Sequence, residues 1–494
     1  MNYGKTLPKD ILLLGMFYII AHGGILLIPN AIFWDDWVIY RASPSTILDT
    51  FSQVGSMFSI VGQLHIALLT VGPWIYKVLT FILMFASGFL LNQILKRHTF
   101  LTAETRLFVV LLFLVLPFNA ARVALIDFPY TLCYFLFFAA WLLMDSHRFI
   151  ALVLFFLSFN TNSLLVFYAL PVLDIMYRGG YLTSLRSSLS FCVHRIDYIL
   201  LPFVYFFIKT YFFAPYGRYA DYNNNYSFYK LISAATAQRE DFRALLNLLI
   251  SNSSILLLAL PLLVFTYMCI KKISFLEKSD RQISWVFLAL GSLCFFLGAF
   301  PYWILGHIPS FYEWTSRHQL LLPLGSAFFI VGGLSFFSNI LKTGIMSVVI
   351  ALSLAINLTN YIQLTRDWHK QSELIRLFST NIKIQHAGLL VIDDRTMHLN
   401  ALHRSYRLYE WNGILEYAFR EEKRFGIAPT DLEKYLSGQF DHVFDSAYKA
   451  GSHRRDAASP VVSVVIDRVE PDRKGGFYER FKNWIFPKLA LSVS

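Results

Sequence analysis

The chain has 494 residues, of which 56% are hydrophobic and only 15% are charged. Soluble domains average about 25% charged residues, so this composition excludes an ordinary soluble protein and indicates an α-helical polytopic membrane protein. The net charge of +11 does not indicate a nucleic-acid partner, because much of the excess lies in short loops between apolar segments, where positive charge sets orientation.

The first apolar segment, residues 11–29, is long enough to cross a bilayer as one helix. Lys5 and Lys9 precede it, as in a signal peptide, but no small-residue cleavage site follows. We therefore expect a retained first helix with its N-terminus in the cytoplasm.

Two adjacent carboxylates, Asp35 and Asp36, follow this span and are flanked by Trp34 and Trp37. Tryptophan favours the membrane interface, so the pair is expected at the membrane surface. Carboxylates are not needed there for insertion and are costly if they sink into the bilayer. A helix cap or a solvated turn is the structural alternative, but the position of the pair makes catalysis at the membrane face our leading hypothesis.

Residues 30–72, the first loop hereafter, are predicted to contain helices that lie along the membrane surface. Ser43-Pro44-Ser45 is typical of a helix start, and residues 47–60 are mildly amphipathic. A later loop, residues 215–250, is long, polar and aromatic. Loops of this length usually serve a function or are mobile.

A membrane-spanning helix needs roughly 20 apolar residues. By this measure the apolar segments of the chain predict about eleven spans. With the N-terminus in the cytoplasm, the basic clusters between spans fall in cytoplasmic loops, as the positive-inside rule requires. The candidate spans lie near residues 11–29, 73–95, 106–119, 130–144, 148–160, 161–176, 196–214, 251–270, 283–305, 318–338 and 342–363.

The composition changes after the last span, where charged residues become frequent. Residues 387–392 and 461–466 are predicted to be strands, and residues 409–425 have helical spacing. We therefore divide the chain into a transmembrane domain, residues 1–363, and a small α/β domain, residues 364–494. An odd number of spans places this second domain on the outer, periplasmic side, together with the first loop.

A second acidic candidate, Asp127, lies in the second loop (residues 120–129), on the same predicted side as the acidic pair. A simple ion pair with Arg122 is its structural alternative. Arg41 follows the acidic pair by a few residues. It is either a partner of the pair or an interfacial arginine whose charge reaches the water.

Cationic side chains that face the acidic loop are candidates for binding a phosphate, because arginine in particular binds phosphate through paired hydrogen bonds. A cation inside an apolar span costs on the order of 3 kcal/mol, so Lys209 is either functional or extends outward to water. The segment 306–318 concentrates His, Glu and Arg side chains between two spans. The full set of candidates is Lys209, Arg218, His307, Glu313, Arg317 and His318.

The acidic pair after the first span, the helical first loop and the number of spans together resemble the GT-C superfamily of integral-membrane glycosyltransferases. Similar members include the O-antigen glucosyl transferases, the protein O-mannosyltransferases and the aminoarabinose transferases of lipid A. The resemblance implies a sugar donor carried on a polyprenyl phosphate, such as undecaprenyl phosphate, and a glycan, lipid-linked or protein acceptor. It also implies an optional divalent cation, Mg²⁺ or Mn²⁺, whose oxygen ligands would be Asp35 or Asp36 with Asp127.

Inverting glycosyl transfer needs a carboxylate base for the incoming hydroxyl or amine and positive charge for the leaving phosphate. The sequence does not separate Asp35 from Asp36 as that base, and it does not require a metal. Two other functions stay open, a polysaccharide polymerase and a transporter or flippase of a lipid-linked saccharide. Transporters generally show internal repeats, and we find none. The four cysteines form no CxxC pair, and their scarcity, with the resemblance, favours a bacterial inner membrane.

Overall fold

The computed structural model describes residues 9–220, 226–251, 253–271, 281–311, 313–420, 424–438, 460–469 and 477–494. Within these residues the chain is a mainly helical membrane protein with a small C-terminal sheet. Side chains of the first loop and of the C-terminal region share one hydrophobic cluster. The first loop and the C-terminal domain therefore lie at the same end of the helix bundle, the loop end hereafter.

The first helix continues as a 3-10 turn and leads directly into the first loop. The predicted helices of this loop are confirmed. The second of them starts at Ser43, whose hydroxyl accepts a hydrogen bond from the backbone N of Thr46 at 3.1 Å. Proline follows at the first helical position. These elements are α1 (Lys9–His22), the turn Gly23–Leu27, α2 (Asp36–Ile39), α3 (Pro44–Gln53) and α4 (Ile60–Val71).

Helix α6 lies at the centre of the bundle, since every residue from Leu107 to Val115 is buried. A helix that is apolar all round belongs in such a position. It ends just before Pro117, because proline disfavours helical backbone in the residue that precedes it. The bundle helices that follow the first loop are α5 (Pro73–Leu95), α6 (Ala103–Val115), α7 (Phe128–Leu143), α8 (Arg148–Ser158), α9 (Ser163–Phe167), α10 (Ala169–Arg178), α11 (Leu185–His194), α12 (Ile196–Phe212), α13 (Phe228–Ser251), α14 (Ser253–Ile270), α15 (Arg281–Trp303), α16 (Leu322–Leu334) and α17 (Asn339–Thr380).

The predicted number of about eleven spans is not confirmed. Over the described ranges, four helical stretches are long and apolar enough to cross a membrane, and the pair α11 and α12, bent by 65°, would make a fifth. Several other predicted spans are short helices, and the one near 161–176 is broken into α9 and α10. The four stretches are Lys9–Leu27, Pro73–Leu95, Gln282–Trp303 and Asn339–Thr380.

The end of the bundle away from the first loop carries a network of ion pairs. Asp145 accepts from Arg97 at 3.1 Å and from Arg178 at 2.7 Å, and Asp174 pairs with His98 at 2.9 Å. These side chains come from the ends of α5, α7 and α10 and from the turns beside them. Their location agrees with the basic loops assigned to the cytoplasmic face in the sequence.

The C-terminal domain is built on a four-stranded sheet in the order β2-β1-β3-β4. The first three strands are parallel, with Leu389 opposite both Phe425 and Val461, and β4 runs antiparallel to β3. Both predicted strands are confirmed. The elements are α18 (Ile382–Gln385), β1 (Leu389–Asp394), α19 (Leu408–Phe419), β2 (Phe425–Ile427), α20 (Leu432–Leu436), β3 (Val461–Arg468), α21 (Phe477–Ile485) and β4 (Leu489–Val493).

Three boundaries differ from the sequence prediction. The helix predicted over 409–425 ends at Phe419, and Phe425 begins strand β2. The predicted loop 215–250 contains the long helix α13. The predicted domain boundary after residue 363 falls inside α17, a continuous helix of 42 residues that runs from the bundle into the C-terminal domain.

Candidate active site

Asp36 is a structural anchor, with 0% of its surface exposed. Its Oδ2 accepts a hydrogen bond from the backbone N of Phe33 at 3.1 Å, and its Oδ1 accepts from that of Ile126 at 2.9 Å. Burial raises the pKa of Asp36 to about 6, although the nearby Lys77 ammonium and the backbone amides favour the charged form. Asp36 therefore ties the first loop to the second loop and presents no surface to a substrate.

Asp35 is only half-buried and has different neighbours. Its carboxylate accepts a hydrogen bond from the hydroxyl of Tyr409 and lies near Arg317. Burial raises the pKa of Asp35, while Tyr409 and Arg317 partly oppose that rise. The preceding residue, Trp34, has a φ of 52°, a left-handed conformation that is uncommon for a bulky residue and that often marks a functional turn.

Arg317 lies at the centre of the site, on a stack of two tryptophan rings. Its guanidinium carbon is 4.6 Å from the centroid of Trp34, and the ring of Trp34 is stacked on Trp314 at 5.3 Å with 4° between the planes. A cation over an aromatic face is held electrostatically. The stack therefore fixes Arg317 beside Asp35 without neutralising its charge.

Asp127 is buried, with 3% of its surface exposed. Neither of its carboxyl oxygens has a hydrogen-bond partner among the described residues. Its nearest charges are Arg317, Asp36 and Asp35, and burial raises its pKa well above the usual range. Its predicted partner, Arg122, instead donates hydrogen bonds to backbone carbonyls at 3.0 and 2.6 Å within its own turn. Buried polar groups without a partner are rare in proteins, so Asp127 stands out as a group available to a ligand.

A basic cluster, formed by His307, His318 and Lys230, lies close to Arg317. The rings of His307 and His318 are 5.3 Å apart, and the Nε of Arg317 is 3.4 Å from Nε2 of His318. Burial and the nearby charges of Arg317 and Lys230 lower the pKa of His307. Arg317 and Lys230 supply positive charge here and the two histidine rings supply hydrogen-bond donors, a combination that favours an anionic ligand.

The other sequence candidates have different surroundings. Arg41 stacks on Tyr417 of the C-terminal domain at 4.5 Å, and Lys209 donates to the carbonyl of Gly55 in the first loop at 3.1 Å. Glu313 is exposed in the turn before Trp314, with a φ of 54°. Arg218 lies in the 3-10 turn Gly217–Tyr219, and its side chain is outside the described residues.

An apolar cavity of about 530 Å³ opens between α6, α13, α15 and α16. Its wall includes Phe311 of segment 306–318, which α13 holds in place. Asp241 accepts from the hydroxyl of Ser310 at 2.9 Å and from the backbone N of Phe311 at 3.2 Å. The cavity is lined by Leu116, Pro117, Phe118, Phe242, Leu245, Gly291, Ser292, Phe295, Phe311, Ser326, Phe329 and Ile330.

The predicted metal ligands, Asp35 or Asp36 with Asp127, are close enough to influence one another electrostatically. Across the described part of the chain, no group of three or more His, Cys, Asp or Glu side chains is placed to hold a metal ion. Both oxygens of Asp36 accept backbone amides, whereas neither oxygen of Asp127 has a hydrogen-bond partner among the described residues. A divalent ion held by one of the pair with Asp127 therefore stays a prediction.

Sequence reasoning missed two residues of this site. Tyr409 is the first residue of the segment 409–425, for which the sequence predicts only a helix. Lys230 lies in the segment 215–250, which the sequence predicts to be a loop. No local signal identifies Tyr409. The amphipathic spacing of residues 228–251 would have indicated a helix that carries Lys230 toward segment 306–318.

The chain matches no protein-family model, and neither a curated protein nor a solved structure resembles it at a significant level. What the site can do therefore follows from its own geometry. A half-buried carboxylate can accept a proton from an attacking hydroxyl, and the adjacent Arg317 and basic cluster can stabilise a leaving anion.

Proposed function

We propose that this protein is an integral-membrane glycosyltransferase of the GT-C type. In this proposal it moves a sugar from a polyprenyl-phosphate donor to a hydroxyl or amine acceptor at the outer membrane face. The observation that supports the proposal is the position of Arg317, which has as neighbours both the carboxylates Asp35 and Asp127 and the basic cluster. A site that combines a base with nearby anion-binding groups suits transfer from a phosphate carrier.

Asp35 is the base in this reaction, because it is the accessible member of the acidic pair. The acceptor oxygen or nitrogen attacks the anomeric carbon and forms the new bond, while the bond from that carbon to the phosphate oxygen breaks with inversion. The acceptor proton passes to Asp35 and then to solvent. The electron pair of the broken bond stays on the polyprenyl phosphate, whose charge Arg317 and Lys230 stabilise and to which the ring N–H of His307 can donate a hydrogen bond.

The apolar cavity supports a lipid carrier. Its lining is almost entirely aliphatic and aromatic, and it meets segment 306–318, which also carries Arg317 and two members of the basic cluster. A phosphate bound at Arg317 would leave its hydrocarbon chain near an apolar surface. Burial of such a chain contributes roughly 0.8 kcal/mol for each CH₂ group, so a cavity of this kind favours a prenyl carrier over a soluble sugar phosphate.

The proposal can be tested with the purified protein in proteoliposomes that contain undecaprenyl phosphate carrying radiolabelled glucose, mannose, galactose or aminoarabinose. A bacterial envelope extract supplies glycan, lipid-linked and protein acceptors. Transfer is measured as label that leaves the donor lipid for an acceptor. We expect Asp35→Asn to lower the transfer rate by at least about a hundredfold and Arg317→Gln to lower it by about a hundredfold.

Binding of undecaprenyl phosphate alone, followed by native mass spectrometry, separates the two roles. Asp35→Asn is expected to bind the lipid normally, whereas Arg317→Gln is expected to bind it weakly. Asp49→Asn is the matched control, since Asp49 is an exposed acid in the same loop that accepts a hydrogen bond from Gln53. Full transfer by Asp35→Asn would contradict the proposal, and movement of intact donor lipid across the membrane without cleavage would indicate a flippase.

A further inference from the structure

The C-terminal domain reaches into the candidate active site through helix α19. The hydroxyl of Tyr409, in the first turn of α19, donates to Asp35. One turn further along, Gly413 lies against Trp37 of the first loop, so closely that an added Cβ would be 2.6 Å from the indole ring. The indole N–H of Trp37 also donates to Gln371 in α17 at 3.2 Å. Helix α19 therefore contacts both chain neighbours of Asp36, namely Asp35 and Trp37.

A second connection runs through the tryptophan stack. Arg404, in the segment before α19, pairs with Glu410 at 2.5 Å, and its guanidinium carbon is 5.4 Å from the centroid of Trp314. Trp314 stacks on Trp34, and Arg317 lies over the ring of Trp34. Two stacked tryptophans thus link Arg404 of the C-terminal domain to Arg317 at the centre of the site.

These contacts support a role for the domain that the sequence did not suggest. We propose that the C-terminal domain forms part of the catalytic centre, and that Tyr409 is the positioning residue that orients Asp35 toward the acceptor. This inference rests on the proposed function for its catalytic meaning, although the contacts themselves do not.

The chemistry of the pair explains how Tyr409 acts. Burial and the neighbouring Asp35 raise the pKa of Tyr409, so its hydroxyl keeps its proton and donates. One donor can hold one carboxylate oxygen while the other oxygen receives the acceptor proton. A hydrogen bond to a charged group contributes about 1.5–3 kcal/mol, which is enough to select one side-chain orientation of Asp35.

Tyr409→Phe removes only this hydroxyl and tests the proposal in the full chain. In the proteoliposome assay with labelled donor lipid, we expect kcat to fall about ten- to hundredfold. KM for the donor should change by less than about twofold, because in this proposal the hydroxyl of Tyr409 acts through Asp35 and not on the donor phosphate. The control is Tyr435→Phe, another buried tyrosine of the C-terminal domain, which stacks on Phe425 away from the first loop.

A double-mutant cycle on thermal unfolding in nanodiscs measures the contact without any assay of transfer. The variants are Tyr409→Phe, Asp35→Ala and the double variant. A hydrogen bond between the two side chains predicts that the single changes are not additive. Additive changes, or an unchanged kcat in Tyr409→Phe while the native protein transfers sugar, would overturn the inference. Coupling in the cycle together with no transfer by the native protein would overturn the proposed function and leave the domain contact in place.

Discussion

Asp35 and Asp36 are neighbours in the chain but lie in different electrostatic surroundings. The backbone amides of Phe33 and Ile126 occupy the oxygens of Asp36, whereas Asp35 meets a phenol and an arginine. The short helix α2 starts between them, so successive side chains point in different directions. Asp35 is therefore the accessible member of the pair, which is why we propose it, and not Asp36, as the base.

The pH dependence of the reaction follows from the neighbours of Asp35. A base must be ionised, so the transfer rate is expected to fall as pH drops through the pKa of Asp35. Burial raises that pKa above the usual range of aspartate, and Arg317 partly counteracts the rise. Arg317→Gln removes the opposing charge, so the acid limb of the profile of kcat/KM should move to higher pH.

The measurement is residual transfer across a pH series in the native protein and in Arg317→Gln, with Arg317→Lys as the control that keeps the charge. An acid limb that stays in place, or moves to lower pH, in Arg317→Gln would show that Asp35 is not the titrating base.

At the scale of elements, helices α15 and α16 are packed backbone to backbone through glycines. A Cβ on Gly291 would be 2.6 Å from the backbone N of Phe329, and a Cβ on Gly332 would be 2.9 Å from the Cβ of Phe287. Small residues at helix contacts allow such close approach in membranes. The pair matters for function because α15 and α16 flank segment 306–318, which carries Arg317.

Gly325→Ala is expected to destabilise the protein by about 1–3 kcal/mol, because the added methyl group would collide with the backbone of Phe295. The matched control is Gly333→Ala on the same helix, since nothing described lies within 4 Å of that position. Thermal unfolding of both variants in nanodiscs checks the difference. Equal unfolding temperatures would show that the glycine contact does not hold the two helices together.

At the scale of the whole molecule, the C-terminal domain is joined to the membrane bundle without a hinge. Helix α17 runs unbroken through both parts, and α19 packs on the first loop. The first helix separates the N-terminus from that loop. We therefore predict that the C-terminal domain and the first loop lie on one side of the membrane, opposite the ion pairs of Asp145.

Cysteine labelling can test this topology in a variant without the native cysteines. Exposed positions are Ser45 in the first loop, Thr380 at the end of α17 and Ser146 beside Asp145. A membrane-impermeant maleimide added to sealed, right-side-out cells should label Ser45→Cys and Thr380→Cys and leave Ser146→Cys unlabelled. Labelling of Ser45→Cys and Thr380→Cys from opposite sides would contradict the arrangement.

The sequence predicted the parts of this protein that depend on local composition. Apolar length and low charge indicated a membrane protein, Ser43-Pro44 marked the start of α3, and runs of aliphatic residues predicted β1 and β3. The predicted number of spans is not confirmed. A segment such as 161–176 has the composition of one span but forms two short helices, α9 and α10. Lys230 was missed because the polar composition of residues 215–250 led to the prediction of a loop, whereas residues 228–251 form helix α13.

The acidic pair and Arg317 could be found in the sequence because charged side chains at the ends of apolar spans are conspicuous and costly unless they are used. Only the tertiary structure decided which aspartate is buried, which cation stands beside it and that Tyr409 belongs to the site. Hydropathy and propensity act over neighbouring residues, whereas the contacts of Asp36 and Asp35 join segments from 90 to several hundred residues apart. Their geometry exists only once the helices and the C-terminal domain have packed.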